Sequence, residues 1–255
     1  YFHELSFCHK GIDSFYDLDA LVSMAKAKDR MKLVFPRFNV AENLKIDSAF
    51  HPALKKPTGN QLYLGHEHLL FLTGPNMAGK TTYLKSVALC VYLAHTGMAV
   101  PARSMELSPF DCIFTSLNTS DNIEQGYSYF MNEANQVKKL ALLLQEGYRV
   151  FAIMDELFRG TNIKDAYAGT EMVVDGLRHW NKSNFLMSTH LSEMAKDFHQ
   201  LPNIQFRFFE GKLEQQKIKF SYQLKNGVSN QHLGMHILKD LGIDKLLNPD
   251  SHINP

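Results

Sequence analysis

A chain of 255 residues with 45% hydrophobic and 21% charged side chains has the composition of a globular protein able to bury a large core. Its formal net charge of +1 excludes a chain-wide basic nucleic-acid binder, though not a local basic patch. Cys8, Cys90 and Cys112 lie far apart with no CxxC among them, which argues against a disulfide framework or structural zinc and for a reduced, cytoplasmic protein.

The opening Tyr1-Phe2-His3-Glu4 has neither the basic nor the apolar region of a signal peptide, and it lacks an initiator methionine, as a fragment of a longer protein would. Leu18, Leu21, Val22 and Ala25 recur at helical spacing and predict a helix over residues 16–27. Pro36 and Pro52 bracket a looser stretch. Leu69-Leu70-Phe71-Leu72 reads as a short buried strand ending at Gly74, followed by a helix from Lys80 to about Thr96 with Gly97 as its stop. The apolar run 87–94 inside that helix ends at His95, too short to span a bilayer. Cys112-Ile113-Phe114 fits another strand. Residues 130–145 fit a helix carrying Val137, Leu140, Ala141 and Leu144 on one face, with Gly147 just past its end. Val150-Phe151-Ala152-Ile153-Met154 is apolar throughout, as in the middle of a parallel sheet. Residues 165–180 read as a helix and Phe185-Leu186-Met187 as a strand. Segments 204–210 and 213–224 then form a hairpin joined by Gly211-Lys212, and a last helix covers about 231–241. Alternating strands and helices imply an α/β fold with a mostly parallel sheet and an antiparallel hairpin part.

Between the first buried strand and its helix, Gly74-Pro75-Asn76-Met77-Ala78-Gly79-Lys80-Thr81 fits GxxxxGK[ST] in the strand–loop–helix context that pattern requires. Glycines let successive amides turn inward toward phosphate oxygens, and the helix N-terminus adds partial positive charge. Lys80 would neutralise the β- and γ-phosphates of ATP, the Thr81 hydroxyl would ligate Mg²⁺, and Thr82 would donate to the α-phosphate. The competing reading is an ordinary glycine-rich turn entering a helix.

The strand 150–154 runs into Asp155-Glu156, and two carboxylates at the end of a buried apolar strand are costly to place without purpose. In a P-loop ATPase the first, Asp155, holds Mg²⁺, and the second, Glu156, acts as general base on the attacking water. The alternative is a solvated acidic turn. Ser188-Thr189-His190 ends the next strand, where open α/β sheets bind ligands; His190 would contact the γ-phosphate or orient the water, or else cap the following helix.

Together these segments resemble the MutS family of DNA mismatch-repair ATPases. The resemblance covers about residues 46–243. It rests on Thr73 through Lys85, on Asp155-Glu156-Leu157 with Arg159-Gly160-Thr161, on Ser188-Thr189-His190, on Ser120-Asp121 with Gly126 to Met131, and on Gly234-Met235-His236 through Ile243. It implies a P-loop NTPase of the ABC-ATPase type that binds ATP and Mg²⁺ and couples nucleotide state to a DNA clamp. Two heads would meet as a homodimer, with Ser128 contacting the γ-phosphate of the partner's ATP. Tyr222 would stack on adenine; its plainer reading is a strand-face aromatic, and that of Ser128 a helix N-cap. Residues 1–35 would be the end of a helical core or lever, 36–243 the ATPase domain and 244–255 a C-terminal tail.

The chain departs from the family pattern at Tyr129, where threonine is usual, and at Phe158, where glycine is usual; both fall near the expected dimer interface. No aromatic in 56–59 supplies a second wall for adenine. Mismatch-binding, connector and clamp domains are absent from the sequence, so the duplex contacted, mismatched or otherwise structured as in recombination intermediates, would be read mainly elsewhere. A transporter's nucleotide-binding subunit would carry LSGGQ before the acidic strand, and none is present. A module that binds nucleotide with little hydrolysis is the other reading. His66-Glu67-His68 reads as a solvated turn, and Lys55-Lys56 as a solvated face.

Overall fold

The computed structural model describes residues 2–117, 129–158, 160–189, 192–198, 201–214, 217–229 and 242–247. A long helix, α1 (Phe2–Met31), leads in. It is followed by β1 (Arg37–Phe38), β2 (Leu44–Ala49), β3 (Asn60–Leu64), β4 (Leu69–Thr73), α2 (Lys80–His95), β5 (Ser104–Leu107) and β6 (Cys112–Ser116). Then come α3 (Tyr129–Gln145), β7 (Val150–Asp155), α4 (Ile163–Leu177), β8 (Asn184–Ser188), α5 (Ser192–Phe198), β9 (Ile204–Glu214), β10 (Lys217–Asn226) and the short α6 (Ile243–Leu246).

The strands form two sheets, so the chain is α/β with mixed sheets. The larger has the order β10-β9-β4-β8-β7-β6, parallel except for the antiparallel β10. The smaller has the order β1-β5-β2-β3 and mixes parallel and antiparallel pairs. Side chains of a strand alternate between faces, and this alternation divides the core in two. Leu70, Leu72, Phe151, Ile153 and Leu186 pack toward α2 and the smaller sheet, with Leu84, Val87 and Val91 against them. Leu69, Phe71, Val150, Ala152, Met154, Phe185 and Met187 face the other way, onto Leu140 and Leu144 of α3, Val173, Val174 and Leu177 of α4, and Phe198 of α5. The central strands are therefore apolar along their middles, at 69–72, 150–154 and 185–187, because both faces are covered there.

The predicted strands at 69–72, 112–114, 150–154 and 185–187 are β4, β6, β7 and β8. The smaller sheet falls where a looser stretch is expected. Its inward positions do alternate, Leu44 and Ile46 in β2 and Leu62 and Leu64 in β3, between exposed Lys45, Gln61 and Tyr63. The first helix is longer than its apolar spacing suggests, and most of its apolar side chains from Ile12 to Val22 are exposed. α4 starts two residues before the expected Asp165, because the Asn162 side chain accepts from the Asp165 amide at 3.0 Å and caps the helix there. The hairpin turn is also displaced: Gly211 and Lys212 lie inside β9, Gly211 pairing with Phe220, and the strands reverse between Glu214 and Lys217. A glycine opposite a bulky phenylalanine leaves the pair room without ending the strand. The helix expected at 231–241 lies outside the described residues.

His68 is not in a solvated turn. It is fully buried ahead of β4, edge-on to Phe185 with ring centroids 6.2 Å apart, and its backbone carbonyl accepts from the Phe185 amide. Burial pulls its imidazole below the ordinary histidine range. Among the described residues no helix is long and apolar enough to cross a membrane.

Candidate functional site

The parallel pairing brings the C-terminal ends of β4, β7 and β8 to one edge. Leu72 pairs with Ser188 and Asp155 pairs with Ser188, so the loops that follow open at the same place. In open α/β sheets this edge is where ligands bind.

The loop 74–79 leaves β4 through Gly74, whose φ is +139°; a Cβ there would lie 2.7 Å from the Phe209 carbonyl oxygen of β9. Only glycine allows both that dihedral and that approach. The loop enters α2 through Gly79, φ +105°, which caps the helix with no side-chain hydrogen bond. Met77, between them, is also left-handed at φ +67°. Lys80, the first residue of α2, is 5% exposed. Its Nζ donates to the carbonyls of Gly74 at 2.7 Å and Pro75 at 3.3 Å, and stands 3.7 Å from Glu156 Oε1. A buried ammonium needs such acceptors to offset its lost hydration.

Thr81 and Asp155 meet directly, Thr81 Oγ1 donating to Asp155 Oδ2 at 2.6 Å. Ser188 Oγ donates to the other carboxylate oxygen. The Glu156 amide donates to the Ser188 carbonyl at 3.1 Å, and Glu156 itself is left-handed at φ +55°. Asp155 is thus fixed from two neighbouring elements, and the residue after it turns sharply so that its carboxylate faces Lys80.

A cavity of about 480 Å³ opens beside them. Pro75, Asn76, Met77, Gly79, Lys80, Thr81, Thr82, Glu156 and Tyr222 all border it, so the expected loop, second carboxylate and tyrosine share one space. Ala78 is buried beneath the loop, and its amide donates to the Pro75 carbonyl. Ser128 and His190 lie outside the described residues, as do Gly126 and Arg159. Phe158 is not on the surface: it is 4% exposed, its ring 5.3 Å from that of Phe130 and packed over Gly169, where a Cβ would come within 2.9 Å.

The sequence reading misses the opposite wall, which comes from the smaller sheet and the segment after β2: His51, Leu54, Lys56, Thr58 and Asn60. Lys56 is therefore more than a solvated face. One signal was available in the alternation of β3, which places the polar Asn60 at an inward position beside Leu62 and Leu64. His51 and Leu54 carry no comparable signal.

Chemically, inward-turning loop backbone at a helix N-terminus beside a buried lysine suits a polyanion. The adjoining Thr81 and Asp155 oxygens suit a hard divalent cation that keeps several waters.

A family model described as MutS domain V matches residues 70–248, well over half of the chain. The chain belongs to the MutS family. The match takes in the glycine loop, both carboxylates and Tyr222. This MutS-family chain is 30% identical over 241 residues to a DNA mismatch repair protein MutS of Streptococcus sanguinis, covering 90% of the chain and 28% of that protein. It is 32% identical over 240 residues to a DNA mismatch repair protein msh3 of Aspergillus oryzae, covering 89% of the chain and 21% of that protein. A MutS protein of Wolbachia pipientis is 31% identical over 240 residues, 92% of the chain and 28% of the relative. The chain thus spans about a quarter of the length of the relatives it matches.

Proposed function

We propose that this chain is an ATP-binding and ATP-hydrolysing head of a MutS-like protein in DNA mismatch repair, built as a P-loop NTPase of the ABC-ATPase type. The observation that carries the reading is the meeting of two separate segments at one cavity edged by the glycine loop: Lys80, Thr81 and Glu156 line it, and Thr81 is hydrogen-bonded to Asp155. The polyphosphate lies along loop 74–79, with Lys80 exchanging its contacts to the Gly74 and Pro75 carbonyls for phosphate oxygens. Thr82 donates to the phosphate nearest the sugar.

The donor set fits magnesium, since a hydroxyl and a carboxylate already stand within hydrogen-bond distance and phosphate oxygens and water would complete the shell. Bound there, Mg²⁺ supplies charge neutralisation to the phosphates. Ser188 holds Asp155 in orientation for it. Glu156 takes the proton of the attacking water as general base, and its pairing with Lys80 holds the carboxylate facing the cavity. His190 and Ser128 complete the proposed machinery, the first at the water or terminal phosphate and the second from a homodimeric partner. DNA is contacted mainly through parts of the protein beyond this chain. The names of the relatives favour mismatched duplex over other structured DNA.

Lys80→Ala tests the reading. It removes most Mg-ATP affinity, because the polyphosphate loses its buried counter-charge. An unchanged titration, with the fold intact by circular dichroism, refutes it.

A further inference from the structure

We infer that Asn60 is a positioning residue that sets the base-side wall of the cavity by clamping Tyr222. The inference rests on the nucleotide reading of that cavity.

β10 pairs regularly with β9 on either side of a bulge, Phe220 opposite Gly211 and Leu224 opposite Phe209, so Ser221, Tyr222 and Gln223 face the single residue Glu210. At the centre of the bulge Tyr222 takes φ +55°. An aromatic residue holds a left-handed conformation only where its surroundings over-determine it. The determinant is a side chain far off in sequence. Asn60, 8% exposed at the start of β3, donates from Nδ2 to the Tyr222 carbonyl at 2.9 Å and accepts at Oδ1 from the Leu224 amide at 2.8 Å. One side-chain amide thus satisfies two backbone groups at the bulge, the Tyr222 carbonyl and the Leu224 amide. Nδ2 also reaches the Thr58 carbonyl at 3.5 Å.

The consequence is geometric. β3 belongs to the smaller sheet and β10 to the larger, and both contribute to the cavity. Asn60 fixes the distance between these walls and presents the half-exposed Tyr222 ring beside Gly79, where an added Cβ would lie 3.2 Å from Tyr222 Cδ1. The ring therefore borders the phosphate loop at Gly79, and on the nucleotide reading it is the wall that meets the base. Because its amide is committed to the β10 backbone, Asn60 acts through Tyr222 rather than on the ligand.

Titration calorimetry of the 255-residue chain with Mg-ATP, and with Mg-tripolyphosphate, which carries phosphates but no base, separates positioning from general structure. Asn60→Ala weakens ATP by about tenfold, the scale of one base–aromatic contact, and leaves tripolyphosphate within about twofold. Tyr222→Ala does the same, and the double substitution binds ATP no more weakly than Tyr222→Ala alone. Equal weakening of both ligands, or additive losses, overturns the clamp. Should Asn60→Ala fail to keep its fold by circular dichroism, Asn60→Asp carries the same measurements, since it still accepts from Leu224 but cannot donate to the Tyr222 carbonyl. A parent that binds neither ligand overturns the nucleotide reading and the clamp with it. A parent that binds both, with the ratio unchanged in Asn60→Ala, overturns the clamp alone.

Discussion

Replacing Gly74 by alanine tests how closely the loop is built against the sheet. Two costs follow from the structure. The first is backbone strain, since φ +139° is a region open in practice to glycine alone, at about 1–3 kcal/mol for an L-residue. The second is contact: the new methyl would stand 2.7 Å from the Phe209 carbonyl oxygen and 3.3 Å from its amide nitrogen, both backbone atoms that cannot swing away as a side-chain tip would. Forcing such atoms apart costs about 1–3 kcal/mol. The sum, about 4 kcal/mol at mid-range, lowers Tm by roughly 8–16 °C in a chain of this size. Gly97→Ala is the control, because Gly97 has φ +76° but nothing within 4 Å of an added Cβ. It carries the strain alone, about 1–2 kcal/mol. Urea unfolding followed by circular dichroism compares the two at constant m. Gly74→Ala should lose about 2 kcal/mol more than Gly97→Ala and also lose nucleotide affinity, since relieving the clash with Phe209 displaces the start of the loop that leads to Lys80. Equal losses in the two variants would refute the reasoning.

Glu156→Gln should keep Mg-ATP binding while single-turnover hydrolysis slows by about 10²-fold or more, the range for losing a general base; turnover at the parent rate would move that role to another residue, His190 being the first to test. His68 gives a pH dependence. Burial holds its folded pKa below the unfolded value near 6.5, so below that pH the unfolded chain binds the proton first. Stability is then full above about pH 6.5 and falls as pH drops toward the folded value, and His68→Gln should flatten that slope in urea titrations between about pH 7 and 5. Sedimentation of Glu156→Gln with Mg-ATP should show weak, ATP-favoured dimers that Ser128→Ala diminishes, because a ligand held only in the dimer shifts the equilibrium toward it. A chain that stays monomeric with ATP at high concentration argues against a cross-dimer role for Ser128.

What the sequence determined by itself is whatever local chemistry encodes. Unbroken apolarity marked β4, β7 and β8, because a strand covered on both faces has no polar side. The glycines at 74 and 79 marked the loop, because they stand where φ is positive. Helical periodicity and the glycine stops placed α2 and α3 to within a residue or two, and the loop and both carboxylates were legible before any contact was known, whereas Tyr222 was singled out only by the family resemblance.

Tertiary structure alone decided three things. Thr81 meets Asp155 across 74 residues of chain because parallel pairing aligns β4, β8 and β7, and no local pattern carries that register. His68 looks solvated in sequence but lies under Phe185, since its burial comes from the neighbouring strand rather than its own neighbours. The second wall of the cavity belongs to another sheet, and Asn60 reaches Tyr222 from 162 positions away. A side chain that satisfies a bulge in a distant strand leaves only a polar residue at an inward position as its mark in the sequence. Which backbone groups it must satisfy is settled when the two sheets pack.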